Sequence, residues 1–210
     1  MRRAYSPKDI LNKTYKTLSW DGEWAKAFGL PAENETWFIS GASASGKSSF
    51  VMQLAKKLCE YGTVLYESYE EGVGKSFQDR LKRHGMQDMQ GRFRVAMDDG
   101  VVEVIRRLKK RKSAKFIIID SFQESGWDIS GTKELISAFP KKCFIFVSQI
   151  AKGQPLGKPA VRLKYLAGVK ISVSGYRAYC QGRAIGEAGA SFTVWEDGLI
   201  QTSNNVNAGI

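Results

Sequence analysis

Apolar positions along the chain follow two alternating rhythms. Three short runs, Thr36 to Ser40, Lys115 to Asp120 and Cys143 to Ser148, hold Trp-Phe-Ile, Phe-Ile-Ile-Ile and Phe-Ile-Phe-Val without a polar break. All three predict strands, and the last two predict strands buried on both faces. Between them apolar residues recur at helical spacing. Phe50, Val51, Leu54 and Leu58 mark one face of a helix from Lys47 to Tyr61, closed by Gly62. Val73, Phe77 and Leu81 mark a helix ending at Gly85; Val101, Val102, Ile105 and Leu108 mark another; Leu135, Ile136 and Phe139 mark a third, stopped by Pro140. Thr63 to Glu67 and Arg92 to Ala96 read as shorter strands. Alternating strands and helices predict an α/β fold with a mostly parallel central sheet covered on both faces. The C-terminal portion is β-rich, with strand patterns at Val169 to Val173, Tyr176 to Gln181 and Ser191 to Trp195. Three regions follow: a wrapping segment over 1–35 with Trp20, Trp24 and Phe28 as anchors, one domain over 36–200, and a frayed polar tail over 201–210.

Composition narrows the picture. A chain of 210 residues, 43% apolar, suits one domain with a full core. No apolar run reaches the length of a membrane span, and Met1 to Leu11 lacks the apolar stretch of a secretory signal. The three cysteines, Cys59, Cys143 and Cys180, are scattered and show no metal-ligand spacing, which predicts a reduced, cytoplasmic protein. His84 is the single histidine, so histidine-based metal or triad chemistry is not expected, and its place near a helix end predicts a solvated side chain. The net charge of +11 attracts polyanions, although surface charge that serves only solubility gives the same total.

The segment Gly41-Ala42-Ser43-Ala44-Ser45-Gly46-Lys47-Ser48 fits the pattern G-x-x-x-x-G-K-[ST], placed between a strand and an amphipathic helix. Such a loop curls its backbone N–H groups around phosphates, and the helix N-terminus that follows, here through Ser49, adds its positive dipole end. Lys47 is expected to reach the β- and γ-phosphates of ATP, and the Ser48 hydroxyl to ligate Mg²⁺.

Asp120 ends the Phe-Ile-Ile-Ile strand with an acid at its C-terminal edge, where ligands bind such sheets; it is expected to hold the water shell of Mg²⁺. Val64-Leu-Tyr-Glu67-Ser-Tyr-Glu70-Glu71 also runs from strand into acids. A carboxylate here can polarise the attacking water; Glu70 is preferred, with Glu67 and Glu71 as alternatives. Gln149, at the end of the Cys143 run, is a candidate sensor of the γ-phosphate.

These four motifs, in this order, resemble the RecA-like P-loop ATPases, especially the DnaB helicase core, RadA and KaiC. The matching pieces are Gly41 to Ser48, Val64 to Glu71, Ile117-Ile-Ile-Asp-Ser121 and Val147-Ser-Gln149, and Gly29-Leu-Pro before the first strand is also similar. The likeness covers about residues 18–200. A looser likeness is to small RecA-like proteins of phages and prophages of Bacteroides-type bacteria. The resemblance implies a three-layer RecA-like fold, an ATPase using ATP and Mg²⁺, and a catalytic glutamate at Glu70. It also implies a homo-oligomer, ring or filament, handling single-stranded DNA, with a KaiC-like regulatory ATPase acting on proteins as the alternative. Tyr179-Cys-Gln-Gly-Arg183 resembles the family's Lys-x-Arg segment, whose cations reach a neighbouring subunit's γ-phosphate; Arg183 matches the arginine and Gln181 replaces the lysine.

Two basic segments remain. Ala151 to Lys164 carries Lys152, Lys158, Arg162 and Lys164 with no acid, and its two glycines and two prolines predict an irregular loop. The corresponding loop of RecA-like proteins contacts DNA, so these cations are candidate phosphate contacts. Arg106 to Lys115 has seven cations in ten positions, best read as charges at a helix C-terminus. Trp127, in the loop after Asp120, suits stacking on a base, but packing on a neighbour or against its own loop is the preferred reading.

Overall fold

A computed structural model describes residues 4–183 and 186–199; the expected polar tail lies outside the described residues. The unbroken apolar runs become strands because both sheet faces are covered. They are β1 (Trp37–Gly41), β2 (Val64–Ser68), β4 (Phe116–Asp120) and β5 (Cys143–Ala151), with β3 (Phe93–Met97) at the edge. The helices are α1 (Pro7–Leu11), α2 (Gly22–Phe28), α3 (Lys47–Leu58), α4 (Lys75–Arg83), α5 (Val101–Leu108) and α6 (Ile129–Ala138). The chain continues through β6 (Gln154–Pro155), α7 (Lys158–Leu166), β7 (Val169–Ser174), β8 (Arg177–Gly182) and β9 (Phe192–Thr193). The sheet order is β3-β2-β4-β5-β1-β7-β8-β9. It is parallel from β3 to β7, and β8 and β9 add an antiparallel margin.

Strand alternation divides the interior into two cores. Phe116, Ile118, Ile145 and Val147 face Phe50, Leu54 and Phe77 of α3 and α4. Ile117, Ile119, Phe144 and Phe146 face Val104, Leu135 and Leu163 of α5, α6 and α7. These are the three layers expected. The wrapping segment enters the first core: Trp20 and Phe28 are buried, and Trp20, Trp24, Phe28, Phe50 and Phe192 meet ring to ring at 4.4–6.3 Å. Glu33 pairs with Lys115 at 2.7 Å and ties the segment to the sheet's lower edge.

Several details differ from the sequence reading. In α5 the buried side chains are Val104 and Leu108, whereas Val102 is exposed. Val73 precedes α4 and is exposed. His84 is half-buried at the C-terminus of α4, its carbonyl accepting from Lys56 Nζ at 2.9 Å; burial and the charges of Arg83, Arg80 and Lys56 lower its pKa. Trp127, by contrast, follows the packing alternative: it is buried, sits edge-on to Tyr69 and donates to the Asp99 carbonyl.

The largest correction concerns 151–164, which is not an irregular loop. Lys152 and Gly153, at φ 50° and 77°, turn β5 into the short antiparallel β6, a two-residue turn with positive φ at both positions. Lys158, Arg162 and Lys164 then lie on α7. Pro159 is tolerated because it falls in the first helical turn, where its missing N–H has no intrahelical partner. Ala160 and Leu163 bury the inner face, a period hidden by the prolines and glycines around it.

The aromatic cluster makes one stability prediction. Phe28→Ala removes a fully buried ring that joins the wrapping segment to α3 and β9, and is expected to destabilise the chain by about 3–5 kcal/mol in urea unfolding. A loss under ~1 kcal/mol would show that the segment is not part of the core.

Candidate nucleotide site

Parallel register brings the polar strand ends to one edge of the sheet. Gly41 pairs with Gln149, and Ser68 with Asp120. Residues 42–49, Glu70 and Gln149 consequently line one cavity of about 370 Å³, together with Arg80, Arg83, Tyr176 and Trp195. A second cavity of about 310 Å³ is lined by Ser48, Ser68, Glu70, Glu71, Arg80 and Asp120.

The phosphate loop needs its two terminal glycines for steric reasons. A Cβ on Gly41 would meet the Ser45 hydroxyl and the Val173 carbonyl at 2.6 Å. Gly46 has φ +91°, and a Cβ there would meet the Tyr176 ring at 2.9 Å. Tyr176 reaches the loop from the β7–β8 turn, its N–H donating to the Ser45 carbonyl at 3.1 Å. Trp195 stands edge-on to Tyr176 with centroids 5.1 Å apart. Lys47 is buried at the first position of α3, and Ser48 follows it.

The three acids after β2 separate cleanly. Glu67 is fully buried on the α5–α6 side of the sheet, and neither carboxylate oxygen has a hydrogen-bond partner. Glu70 lines both cavities and accepts from Gln149 Nε2 at 2.8 Å. Glu71 is ion-paired with Arg80. Asp120 is buried and accepts from the Tyr66 hydroxyl. Burial raises its pKa, against the lowering influence of Tyr66, Lys47 and Arg80. A hydroxyl and a carboxylate on one cavity wall form a hard oxygen donor set. That fits Mg²⁺, which takes few protein ligands and completes its shell with phosphate oxygens and water.

The remaining predicted residues lie elsewhere. Lys158 and Arg162, four residues apart on one face of α7, line a groove of about 720 Å³ with Ile129, Pro155 and Val161. Lys152 is exposed at the β5–β6 turn, and Lys164 points off the Lys158–Arg162 face. Arg183 is exposed just beyond β8, where Gly182 pairs with Val169 and the Arg183 N–H donates to the Gly168 carbonyl. β8 runs away from the phosphate loop, so Arg183 sits roughly 20 Å along the strand from the loop edge. The Arg106 to Lys115 run ends α5 and leads into the N-terminal end of β4, while Arg107 reaches back to Asp99, just beyond the C-terminal end of β3, and Arg106 pairs with Glu103.

Arg80, Arg83, Tyr176 and Trp195 were not singled out from the sequence. Arg80 and Arg83 were readable as cations one turn apart in the helix after Glu71. Nothing in sequence spacing ties Tyr176 or Trp195 to the loop, because β7 reaches β1 only through the sheet order.

Glu67 yields a pH prediction. Burial, and secondarily the charge of Asp99, raises its pKa from 4.5 to about 7, while Arg107 opposes. The folded chain then holds a proton that the unfolded chain loses, so this group's contribution is full below pH 4.5 and is lost as pH rises through 7. Between pH 5 and 8 the wild type is expected to lose about 2–3 kcal/mol relative to Glu67→Gln, measured as urea midpoints. Parallel pH profiles would contradict the assignment.

No protein-family profile matches the sequence, and no curated protein does. Among solved structures, the chain is similar to the flagellar accessory protein FlaH from Methanocaldococcus jannaschii, with TM-score 0.59 and 15% identity over 85% of this chain and 93% of that one. It is also similar to the KaiC-like protein PH0186 from Pyrococcus horikoshii OT3, with TM-score 0.56 and 16% identity over 82% of this chain and 88% of that one. Identity at this level speaks for the backbone arrangement, and the chain has the three-layer, mostly parallel α/β architecture of the RecA-like fold.

Proposed function

We propose that the chain binds ATP with Mg²⁺ and hydrolyses it, and that it does so as an oligomeric DNA-handling ATPase, of the kind that small phage and prophage RecA-like proteins exemplify. The observation that carries the reading is the single cavity shared by the phosphate loop, Glu70 and Gln149. Its volume lies within the range of about 300–1,000 Å³ usual for small-ligand sites.

Roles follow from position. The backbone N–H groups of 42–49 cradle the phosphates and Lys47 neutralises charge on the β- and γ-groups. Ser48 and Asp120 hold Mg²⁺, which screens the phosphate charge when bound. Glu70 takes the proton of the attacking water, and Gln149, already hydrogen-bonded to it, aligns that carboxylate and registers the γ-phosphate. Tyr176 and Trp195 offer aromatic faces to the base.

Two surfaces support the wider role. The α7 groove presents Lys158 and Arg162 beside apolar side chains at the same sheet edge as the nucleotide cavity, which suits a phosphate backbone. α1 has a complete capping box yet buries no residue, with Ile10 and Leu11 exposed, which suits an arm that packs on a second copy. Arg183, turned away from its own nucleotide, is exposed where a neighbour can meet it. The second reading, a regulatory ATPase acting on protein partners, is favoured by the names of the flagellar accessory and KaiC-like neighbours.

Lys47→Ala is expected to abolish nucleotide binding or turnover, and Glu70→Gln to bind ATP normally and lose hydrolysis by about 10²–10⁴-fold. Phosphate release and titration calorimetry read the two effects; normal turnover in either variant would sink the assignment. For DNA, fluorescence anisotropy with a labelled single strand should show nearly sequence-independent binding. Its log–log salt slope should be about −2 if three phosphates are neutralised. Lys158→Ala with Arg162→Ala should flatten that slope and leave ATP affinity intact. Absence of DNA affinity at low salt would move the reading to the protein-directed alternative.

A further inference from the structure

The nucleotide cavity contains arginines of its own. Arg80 and Arg83 lie one turn apart on α4 and both line the cavity of the phosphate loop; Arg80 also lines the cavity that holds Ser48 and Asp120. Among the lining residues named for both cavities, only Ser48, Glu70 and Arg80 are common to the two. That position lies between the candidate base and the candidate metal ligands, where charge develops on a transferred phosphoryl group.

Arg80 is also held in place. Its guanidinium pairs with Glu71 and stands 5.7 Å from the centroid of the buried Phe77 ring. Phe77 packs edge-on against Tyr66 of β2, and Lys56 of α3 donates to the His84 carbonyl at the end of α4. The helix that carries Arg80 is thus braced against the strand that leads to the acids and the helix that follows the phosphate loop. Its side chain is only 16% exposed, so the ion pair with Glu71 occupies a partly desolvated site, and a triphosphate entering the cavity brings competing oxygens of higher charge.

We propose that Arg80 is a catalytic arginine supplied in cis: with ATP bound it exchanges Glu71 for the γ-phosphate, and Glu71 receives it back after product release. The inference rests on the ATPase reading. In the step itself the water oxygen forms a bond to the γ-phosphorus as the bond from that phosphorus to the β,γ-bridging oxygen breaks. The electron pair of the broken bond goes to ADP, and the water proton goes to Glu70. Arg80 donates N–H groups to the γ-oxygens throughout and is not consumed. Turnover per chain then does not require Arg183 from a neighbour.

The test uses the full chain with Mg-ATP across a range of protein concentrations, comparing wild type with Arg80→Ala, Arg80→Lys, Glu71→Gln and Arg183→Ala. Arg80→Ala is expected to lower kcat by about 10³-fold with little change in KM, and Arg80→Lys to recover part of it. Arg80→Ala should bind Mg-ADP as wild type does but lose the added affinity for Mg-ADP with aluminium fluoride, a mimic of the transferred group. Glu71→Gln breaks the same ion pair while keeping the arginine, and should retain most of the turnover. Equal losses in Arg80→Ala and Glu71→Gln would show that the pair only props the helix and would overturn the assignment. So would wild-type turnover in Arg80→Ala, undiminished affinity for the mimic, or turnover that is abolished by Arg183→Ala and rises with protein concentration. A wild type that neither binds nor hydrolyses Mg-ATP overturns the ATPase reading along with it.

Discussion

Four parallel strands that end on one edge of the sheet assemble the candidate site. Gly41, Ser68, Asp120 and Gln149 come from β1, β2, β4 and β5 and reach the same edge: Ser68 pairs with Asp120 and Gly41 with Gln149, and the pairing of Ile119 with Phe146 sets the second pair about two residues beyond the first. A shift of one residue in any of these strands would exchange its two faces. It would turn Asp120 from the Ser48 side to the α5–α6 side and exchange isoleucines and phenylalanines between two cores that each fit one set. The two cores guard against this, since both faces of β4 and β5 are fully apolar and filled. Packing energy on the two faces therefore fixes the chemistry at the strand ends.

The same alternation sorts the acids. Glu67 and Glu70 are three residues apart, yet one is sealed in the second core with no partner and the other opens on the phosphate loop. Positive charge is distributed in a comparable way. Burial raises the pKa of Asp120, and the Tyr66 hydroxyl that holds it, with Lys47 and Arg80 facing the cavity, opposes that rise. The cations of the 106–115 run neutralise the C-terminal end of α5, and Arg107 reaches back to Asp99 beyond β3. The basic total of the chain is thus several local charge patterns, of which α7 and α4 are the ones beside the candidate site.

Much of the architecture was legible because the strands are unbroken apolar runs and the helices between them keep period. The phosphate loop, Asp120, Glu70 and Gln149 were legible as candidates because each sits at a strand end, a place that sequence marks by a change from apolar to polar. The α7 helix was hidden: Gly157 and Pro159 are strong breakers in the interior of an element and harmless at its start. The order of strands was hidden as well, and with it the approach of Tyr176 and Trp195 to the loop, since β7 pairs with β1 across more than a hundred residues of sequence. Arg80 was visible as a charge but not as a wall of the cavity, because only the docking of Phe77 against Tyr66 decides which way α4 turns.

The claim on which the account depends most is that this strand edge is a Mg-ATP site. Titration calorimetry of the purified chain with ATP, with Mg²⁺ and then with the metal chelated, tests it most directly. The account predicts one nucleotide per chain, with affinity reduced when Mg²⁺ is removed and when Asp120 is replaced by alanine. Saturating ATP without a binding isotherm, or affinity indifferent to both changes, would contradict it.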